Sequence, residues 1–563
     1  MTTSSAPGKL QRAVAAQRAG RTDEALTLAH TLLTDGVQPH EGNDLGSLLM
    51  RLERADLAVR AFADARRLDP ANLELGLNQA IALTAAGQGE AALTVLDDYA
   101  TATKGVARYW SVRANAARAA DRLDEARRCY EEALHRDPFY IKAQQGLAQV
   151  ALERGEADAV GLFDVALRSD PGNPYLWRGK AEALDVAGDH AGAFSIARRL
   201  VAQAPRWTEG LELLAQLRLA AGEADYTSHY SEAARLNPDD PNIPAAWIGI
   251  LAGLDHHARA AQVAGDAARR FPQLPLFRLL EAVHCGSVGD DAQVDALFSD
   301  LPLDTPERHL HEARHHIRLQ RFGLAEQSLL RVLAEERWNI SAWALRSLVW
   351  RAVGDPRNEW LHGQEGLVRK LPLLGADNVL PDAITRLRQL HARSALPLNQ
   401  SLRGGTQTRG RLFARHEPVF ARLKQAVAAT VAAYQAELPP TDPSHPLLRH
   451  RNDELRLAGS WSVRLTGGGD HHTAHIHPQG VLSSALYLIM PEVSEGEGAL
   501  ELGRPPPDLR LDLPPEEVVI PQPGYLALFP STLYHATTPF SAAERLTVAF
   551  DVVAQEALPL GRE

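Results

Sequence analysis

Cysteine is nearly absent: the 563 residues include only Cys129 and Cys285. Two thiols so far apart exclude a disulfide framework and any cysteine-based metal cluster. No stretch reaches the roughly 18 consecutive apolar residues of a membrane-spanning helix. The opening MTTSSAPGKLQRAVAAQRAG has no apolar core of signal-peptide length. These absences lead us to expect a cytoplasmic protein with no membrane partner. Positive charge is not in excess either, since 59 Lys and Arg face 70 Asp and Glu for a net charge of −11. Nucleic acid is therefore not expected as a partner, because sequence-independent binding needs a basic face. The composition is that of an ordinary globular protein, 45% hydrophobic and 23% charged. The length exceeds a single core and points to about three or four domain-sized units.

Proline sets a period. Pro70, Pro138, Pro171, Pro205, Pro238, Pro272 and Pro306 recur at intervals of 33 or 34 residues, the first interval being doubled. Alanine stands twelve residues before many of them (Ala58, Ala126, Ala159, Ala193, Ala260) and again five before (Ala65, Ala133, Ala166, Ala233, Ala267). Small residues suit the close crossing of two helices, and each proline ends the second helix. The unit resembles the tetratricopeptide repeat, with departures at Tyr226 and Val294 and no proline near 104. The resemblance covers residues 8–370, about ten units, and implies a superhelix that holds a protein or peptide partner. A repeat scaffold without a ligand is the alternative.

His311-Glu312-Ala313-Arg314-His315 reads as HExxH, the zinc-protease helix, with Glu335 twenty residues on. The repeat frame accounts for the same residues, because they follow Pro306, where a unit's first helix begins. A repeat helix is the reading we adopt.

Beyond residue 370 the alanine pattern weakens. Pro372, Gly375, Pro381 and the run LPLNQSLRGGTQTRG are connecting sequence, and FARLKQAVAATVAAYQAEL returns to helical spacing. From Ser460 the period becomes two: SWSVRLT, SSALYLIM, EGALELG, GYLALFP and RLTVAFDVV predict an antiparallel sandwich or barrel without intervening helices.

Within a strand, residues i and i+2 project from one face, so His475 and His477 can bind a single metal ion. His535 follows GYLALFP, and a hairpin through 539–544 leads into RLTVAFDVV. There Arg545, Thr547, Ala549 and Asp551 share one face, while Leu546, Val548, Phe550 and Val552 share the other. Arg545 and Thr547 are thus expected to look into the cavity that holds His535.

An HxH pair, a distal His, an Arg ten residues on and a Thr two further resemble the Fe(II)/2-oxoglutarate-dependent oxygenases. Their pattern is H-x-D/E, a distal His and Arg-x-Ser/Thr. The resemblance implies a double-stranded β-helix (jelly-roll) core, Fe(II), and 2-oxoglutarate and O2 as co-substrates. Matched residue by residue, it makes His475 and His535 catalytic iron ligands. Arg545 would anchor the far carboxylate of 2-oxoglutarate with its two-pronged, permanent charge, and Thr547 would assist. His477 departs from the pattern, since the family places a carboxylate there. We read it as the third ligand, the alternative being a two-ligand site in which it orients water or substrate. His471 and His472 are further ligand candidates. Tyr487 is either a hydroxyl donor to a co-substrate carboxylate or core packing.

Residues 355–555, through DPRNEWL, QSLRGGTQT, GSWSVRL, HIHPQGVLSSALYL, FPSTLYHATTPF and ERLTVAFDVV, resemble a bacterial group of such oxygenase domains fused behind tetratricopeptide repeats. Within that likeness Arg403, Gln407 and Arg464 are expected on the substrate side. The expected architecture is an all-α repeat superhelix (8–370) followed by an α+β domain (371–563) with a helical N-terminal part and a double-stranded β-helix core. The expected activity is hydroxylation of a protein or peptide recruited by the repeats. Two rivals stay open: a non-catalytic scaffold with a degenerate barrel, and a three-His cupin-like metal enzyme that does not use 2-oxoglutarate.

Overall fold

A computed structural model describes residues 8–36, 39–101, 105–398, 400–491, 496–541 and 544–554. The chain divides into two compact units, Met1–Ala183 and Leu184–Glu563. Helices dominate the first unit and continue in the second as far as Ile340–Val353, and a β-rich region follows. None of the described helices is long and apolar enough to cross a membrane.

The period seen in the sequence corresponds to helical hairpins. Ala58, Ala65, Ala126, Ala133, Ala193 and Ala260 are fully buried where paired helices cross. Close crossing also needs glycine under an aromatic ring. A Cβ on Gly146 would lie 2.2 Å from the Tyr130 ring, and one on Gly179 2.3 Å from the Phe163 ring. A left-handed residue recurs once per unit, at Gly20, Glu53, Gly87, Asp121, Gly155, Gly188, Gly222, Asp255, Gly289, Gln320 and Gly354. Each lets the chain reverse after the first helix of a hairpin. The turns at Gly87 and Asp121 carry the repeat through the stretch that lacks a proline near 104.

In the second unit the strands are β1 (Arg369–Pro372), β2 (Leu402–Arg403), β3 (Thr406–Gln407), β4 (Leu455–Leu465), β5 (His471–His472), β6 (Leu482–Ile489), β7 (Leu500–Leu502), β8 (Glu517–Val519), β9 (Tyr525–Pro530), β10 (His535–Thr537) and β11 (Arg545–Ala554). They form a six-stranded sheet of order β1-β9-β6-β11-β4-β3, a three-stranded sheet β10-β7-β8 and a pair β2-β5. Every pairing is antiparallel. The strands β1, β2 and β3 lie in sequence expected to be connection. They are two to four residues long, and β1 ends in proline at a sheet edge, so none carries a readable alternation.

Alternation on β11 holds as expected. Leu546, Val548, Phe550 and Val552 are fully buried against the helices Leu380–His391 and Pro418–Ala436. The other face of the large sheet meets the small one, where Tyr487, Ala527 and Phe529 pack with Leu500, Leu502 and Leu533. Helices, large sheet and small sheet thus form three layers.

The helix Pro306–Arg318 packs behind the small sheet. Its Arg314 and Arg318 both bond the Asp508 carboxylate, at 2.7 and 2.9 Å, and Arg314 also donates to the Tyr534 hydroxyl. The HExxH residues lie on this helix, and His315 is bonded to Asp295 at 2.8 Å. They form no metal site. Among the described residues the only cluster able to hold an ion is elsewhere.

Candidate metal centre

That cluster is His475, His477 and His535, whose ligand atoms all lie within 4.8 Å of one another. An antiparallel bridge builds it: the His475 N–H donates to the His535 carbonyl at 3.1 Å and the reverse bond is 2.9 Å. The bridge sets both imidazoles on one side, with ring centroids 4.2 Å apart. His477, two residues on, joins them at 5.1 and 5.0 Å. Ile476 and Tyr534, between and beside these histidines, turn the other way into a cluster with Ala313, Ile317 and Leu509. The back of the metal strand is therefore fixed to a repeat helix.

Each ring has its second nitrogen occupied. Nδ1 of His475 bonds the Thr473 carbonyl at 2.8 Å, Nδ1 of His535 the Leu533 carbonyl at 3.3 Å, and Nδ1 of His477 the Asp551 carboxylate. These oxygens accept, so the proton sits on Nδ1 and each Nε2 keeps its lone pair, that of His475 facing the Ser401 hydroxyl at 3.2 Å. Nε2 of His475 and Nε2 of His477 are 3.1 Å apart. Two nitrogens about 2.1 Å from one ion, at a right angle, are about 3.0 Å apart, so the pair fits a metal. Burial pushes His475 down to about 3, helped by His477, and holds His535 well below its ordinary value. Both rings are kept in the neutral form a metal needs.

On β11, Arg545 is 3% exposed and makes no hydrogen bond or ion pair among the described residues. Its guanidinium lies 5.8 Å from the Tyr487 ring centroid, and the buried Tyr487 hydroxyl is also without a partner. Burial pulls the Arg545 pKa down and raises Tyr487 to about 12. A buried, unpaired guanidinium costs several kcal/mol and calls for an anion, which a carboxylate meets with two parallel bonds. After burial and the His475 ring, the charge of Arg545 is the next influence that disfavours a proton on His472. His472 in turn stacks on His475 at 5.9 Å, which links Arg545 to the triad.

Strand register sorts the remaining predicted residues. Gln407, Val463, Thr547 and Tyr487 stand opposite one another across β3, β4, β11 and β6, so Gln407 and Thr547 share the Tyr487 face. Arg464 does not join them. It pairs with Leu546 in the adjacent row, on the opposite face, and binds Glu544 at 2.8 Å. Arg403 is engaged as well, by Asp255 of a repeat turn at 2.6 Å and by the Gln400 carbonyl. It fastens its loop to the repeats, as Gln216 does through Leu396 and Leu398. His471 bonds the Gly469 carbonyl, and His472 bonds Ser401 Oγ at 3.1 Å.

Two partners of the triad had not been assigned roles: Ser401, whose Oγ is 3.2 Å from His475 Nε2, and Asp551. Alternation had already set Asp551 on the Arg545 face, but nothing local linked it to His477.

Residues 459–551 match the protein family described as "Putative 2OG-Fe(II) oxygenase", and tetratricopeptide repeats match at 43–107, 112–174 and 157–206. The chain thus carries tetratricopeptide repeats and a region similar to a putative 2OG-Fe(II) oxygenase domain. No curated protein matches it. Similar solved structures include a thermophilic TPR protein of Thermus thermophilus, 22% identical over 34% of this chain and 98% of that one, with a TM-score of 0.28. A tetratricopeptide repeat protein of Parabacteroides merdae is 18% identical over 43% and 97%, with a TM-score of 0.33. These likenesses are too distant to bear on function.

Proposed function

We propose that the protein is an Fe(II)- and 2-oxoglutarate-dependent oxygenase that hydroxylates a protein or peptide recruited by its repeats. One observation carries this reading. Three imidazoles whose ligand atoms converge stand near a buried arginine that has no hydrogen-bond or ion-pair partner among the described residues, with His472 stacked on His475 and within the influence of the Arg545 charge. The two facing antiparallel sheets are, in this reading, the double-stranded β-helix core. A cytoplasmic setting belongs to the same proposal, supported by two free, buried cysteines.

His475, His477 and His535 would hold the iron through Nε2, with each ring oriented by its Nδ1 bond. Arg545 would take the far carboxylate of 2-oxoglutarate, with the Tyr487 and Thr547 hydroxyls beside it. Phe529 packs edge-on against His535 at 5.0 Å and Trp461 lies 5.5 Å from His477, so an aromatic ring flanks each of these two imidazoles. When bound, Fe(II) supplies activation of O2, coupling decarboxylation of 2-oxoglutarate to succinate with hydroxylation of a C–H bond. The repeats are of a kind that mediates protein–protein contact, which supports a macromolecular substrate.

Anaerobic titration tests the reading. A weak visible charge-transfer band is expected only when Fe(II) and 2-oxoglutarate are both present. Metal binding without that band would turn the assignment to a three-His metal enzyme, and no metal binding at all to a scaffold. The unpaired Arg545 favours the oxygenase over both. Partners captured by His535→Ala should gain one oxygen atom in mass once wild-type enzyme is added.

A further inference from the structure

Only one of the three imidazoles is held by a charged group. Backbone carbonyls of Thr473 and Leu533 fix His475 and His535, whereas Asp551 fixes His477 through its carboxylate. His477 is also the ligand at which the sequence departs from the oxygenase pattern, with imidazole where a carboxylate is usual. We propose that Asp551 is a positioning residue that supplies, one shell out, the negative charge missing from the ligand set. Fe(II) with two imidazoles and a carboxylate carries one net positive charge. Three imidazoles leave two, and three imidazoles with Asp551 restore one.

The backbone is built around this contact. Along β11 and β4 the register changes between Phe550 and Val552: Phe550 faces Ser460, but Val552 faces Leu457. Ala458 and Gly459 therefore both stand opposite Asp551, a bulge that re-aims the strand. A Cβ on Gly459 would come within 3.1 Å of the Trp461 ring and 3.5 Å of Asp551 Oδ2. Glycine leaves room there for the tryptophan that lies against His477 and for the carboxylate behind it. A carboxylate on the far nitrogen of a ligating histidine fixes the ring and raises its donor strength, and its loss costs about 10- to 100-fold in metal affinity.

The test uses the full chain with Co(II) as probe under anaerobic conditions, read by calorimetry and by the visible Co(II) spectrum. Asp551→Asn keeps an oxygen that can accept from Nδ1 but removes the charge, and is expected to weaken Co(II) about 10-fold. Asp551→Ala removes orientation as well and should approach 100-fold. His477→Asp combined with Asp551→Asn moves the charge back to the ligand and should recover affinity to within about threefold of wild type. A merely structural Asp551 would lower the melting temperature of the metal-free protein without moving the Co(II) absorption bands. Unchanged Co(II) affinity and spectrum in Asp551→Asn overturn the proposal, as does a double variant no tighter than Asp551→Asn. The proposal rests on the triad as a metal site, so a wild-type protein that binds no Co(II) overturns both. Weakened Co(II) binding in Asp551→Asn, with no 2-oxoglutarate band in wild type, sinks the oxygenase reading and supports the role of Asp551.

Discussion

The histidine triad and the surroundings of Arg545 are prepared in opposite ways. Among the histidines every Nδ1 already has a protein acceptor, and only the Nε2 lone pairs look inward. Around Arg545, the described residues offer no hydrogen-bond or ion-pair partner to the guanidinium and none to the Tyr487 hydroxyl. At the triad, protein acceptors alone set the ring orientations. The Arg545 side is polar, buried and unsatisfied, which is costly unless a ligand brings the acceptors. Orientation by the protein suits a resident metal, and unsatisfied charge suits a co-substrate that enters and leaves.

The comparison breaks most visibly at the metal. His535→Ala should weaken Fe(II) binding by more than about 100-fold, beyond the loss of any supporting residue, as followed by anaerobic calorimetry. A smaller loss would mean that the triad is not the ligand set.

A buried histidine outside the triad provides the contrast for pH. His391 bonds the hydroxyls of Thr406 and Ser462 through both nitrogens, and burial pushes it down to about 4. Its folded value lies below the ordinary one of about 6.5, so the unfolded chain binds the proton first as pH falls. Stability from this ring is present above about pH 6.5 and is lost toward about pH 4, by about 3 kcal/mol. Thermal melts across that range should be shallower in His391→Gln, and added metal should not change this part of the slope.

By contrast, Arg545→Ala should keep Fe(II) while weakening 2-oxoglutarate by about 100-fold, corresponding to about 2–3 kcal/mol of charge-assisted bonding. Arg545→Lys should not restore it, because a point charge lacks the two-pronged geometry. Equal co-substrate affinity in Arg545→Ala would remove this residue from its role. The smallest effect is that of Tyr487→Phe: roughly a fivefold loss of 2-oxoglutarate affinity for one neutral hydrogen bond. The metal-free protein should melt no lower, since the hydroxyl removed has no partner there to lose.

Much of this was legible in the sequence. Proline and alanine spacing marked the hairpins, because small residues are needed at every crossing and the same crossing recurs. The left-handed turns were harder to see, since Glu53, Asp121, Asp255 and Gln320 fill positions that glycine fills elsewhere. Alternation set Arg545 and Thr547 on one face of β11 and the apolar residues on the other. It gave no such guidance for Arg464, where both faces of β4 carry buried residues. Only pairing with Leu546 decided its side.

What the chain determined by itself are the features fixed by backbone geometry over short distances: a period of about 34 for paired helices, a period of two for strands, and two imidazoles two residues apart. Tertiary structure alone decided that His475 bridges His535 and that Asp551 reaches His477. Those contacts join residues up to 74 apart and depend on strand register and a bulge. Local periodicity cannot specify them, because a shift of one residue in pairing would turn each side chain to the other face.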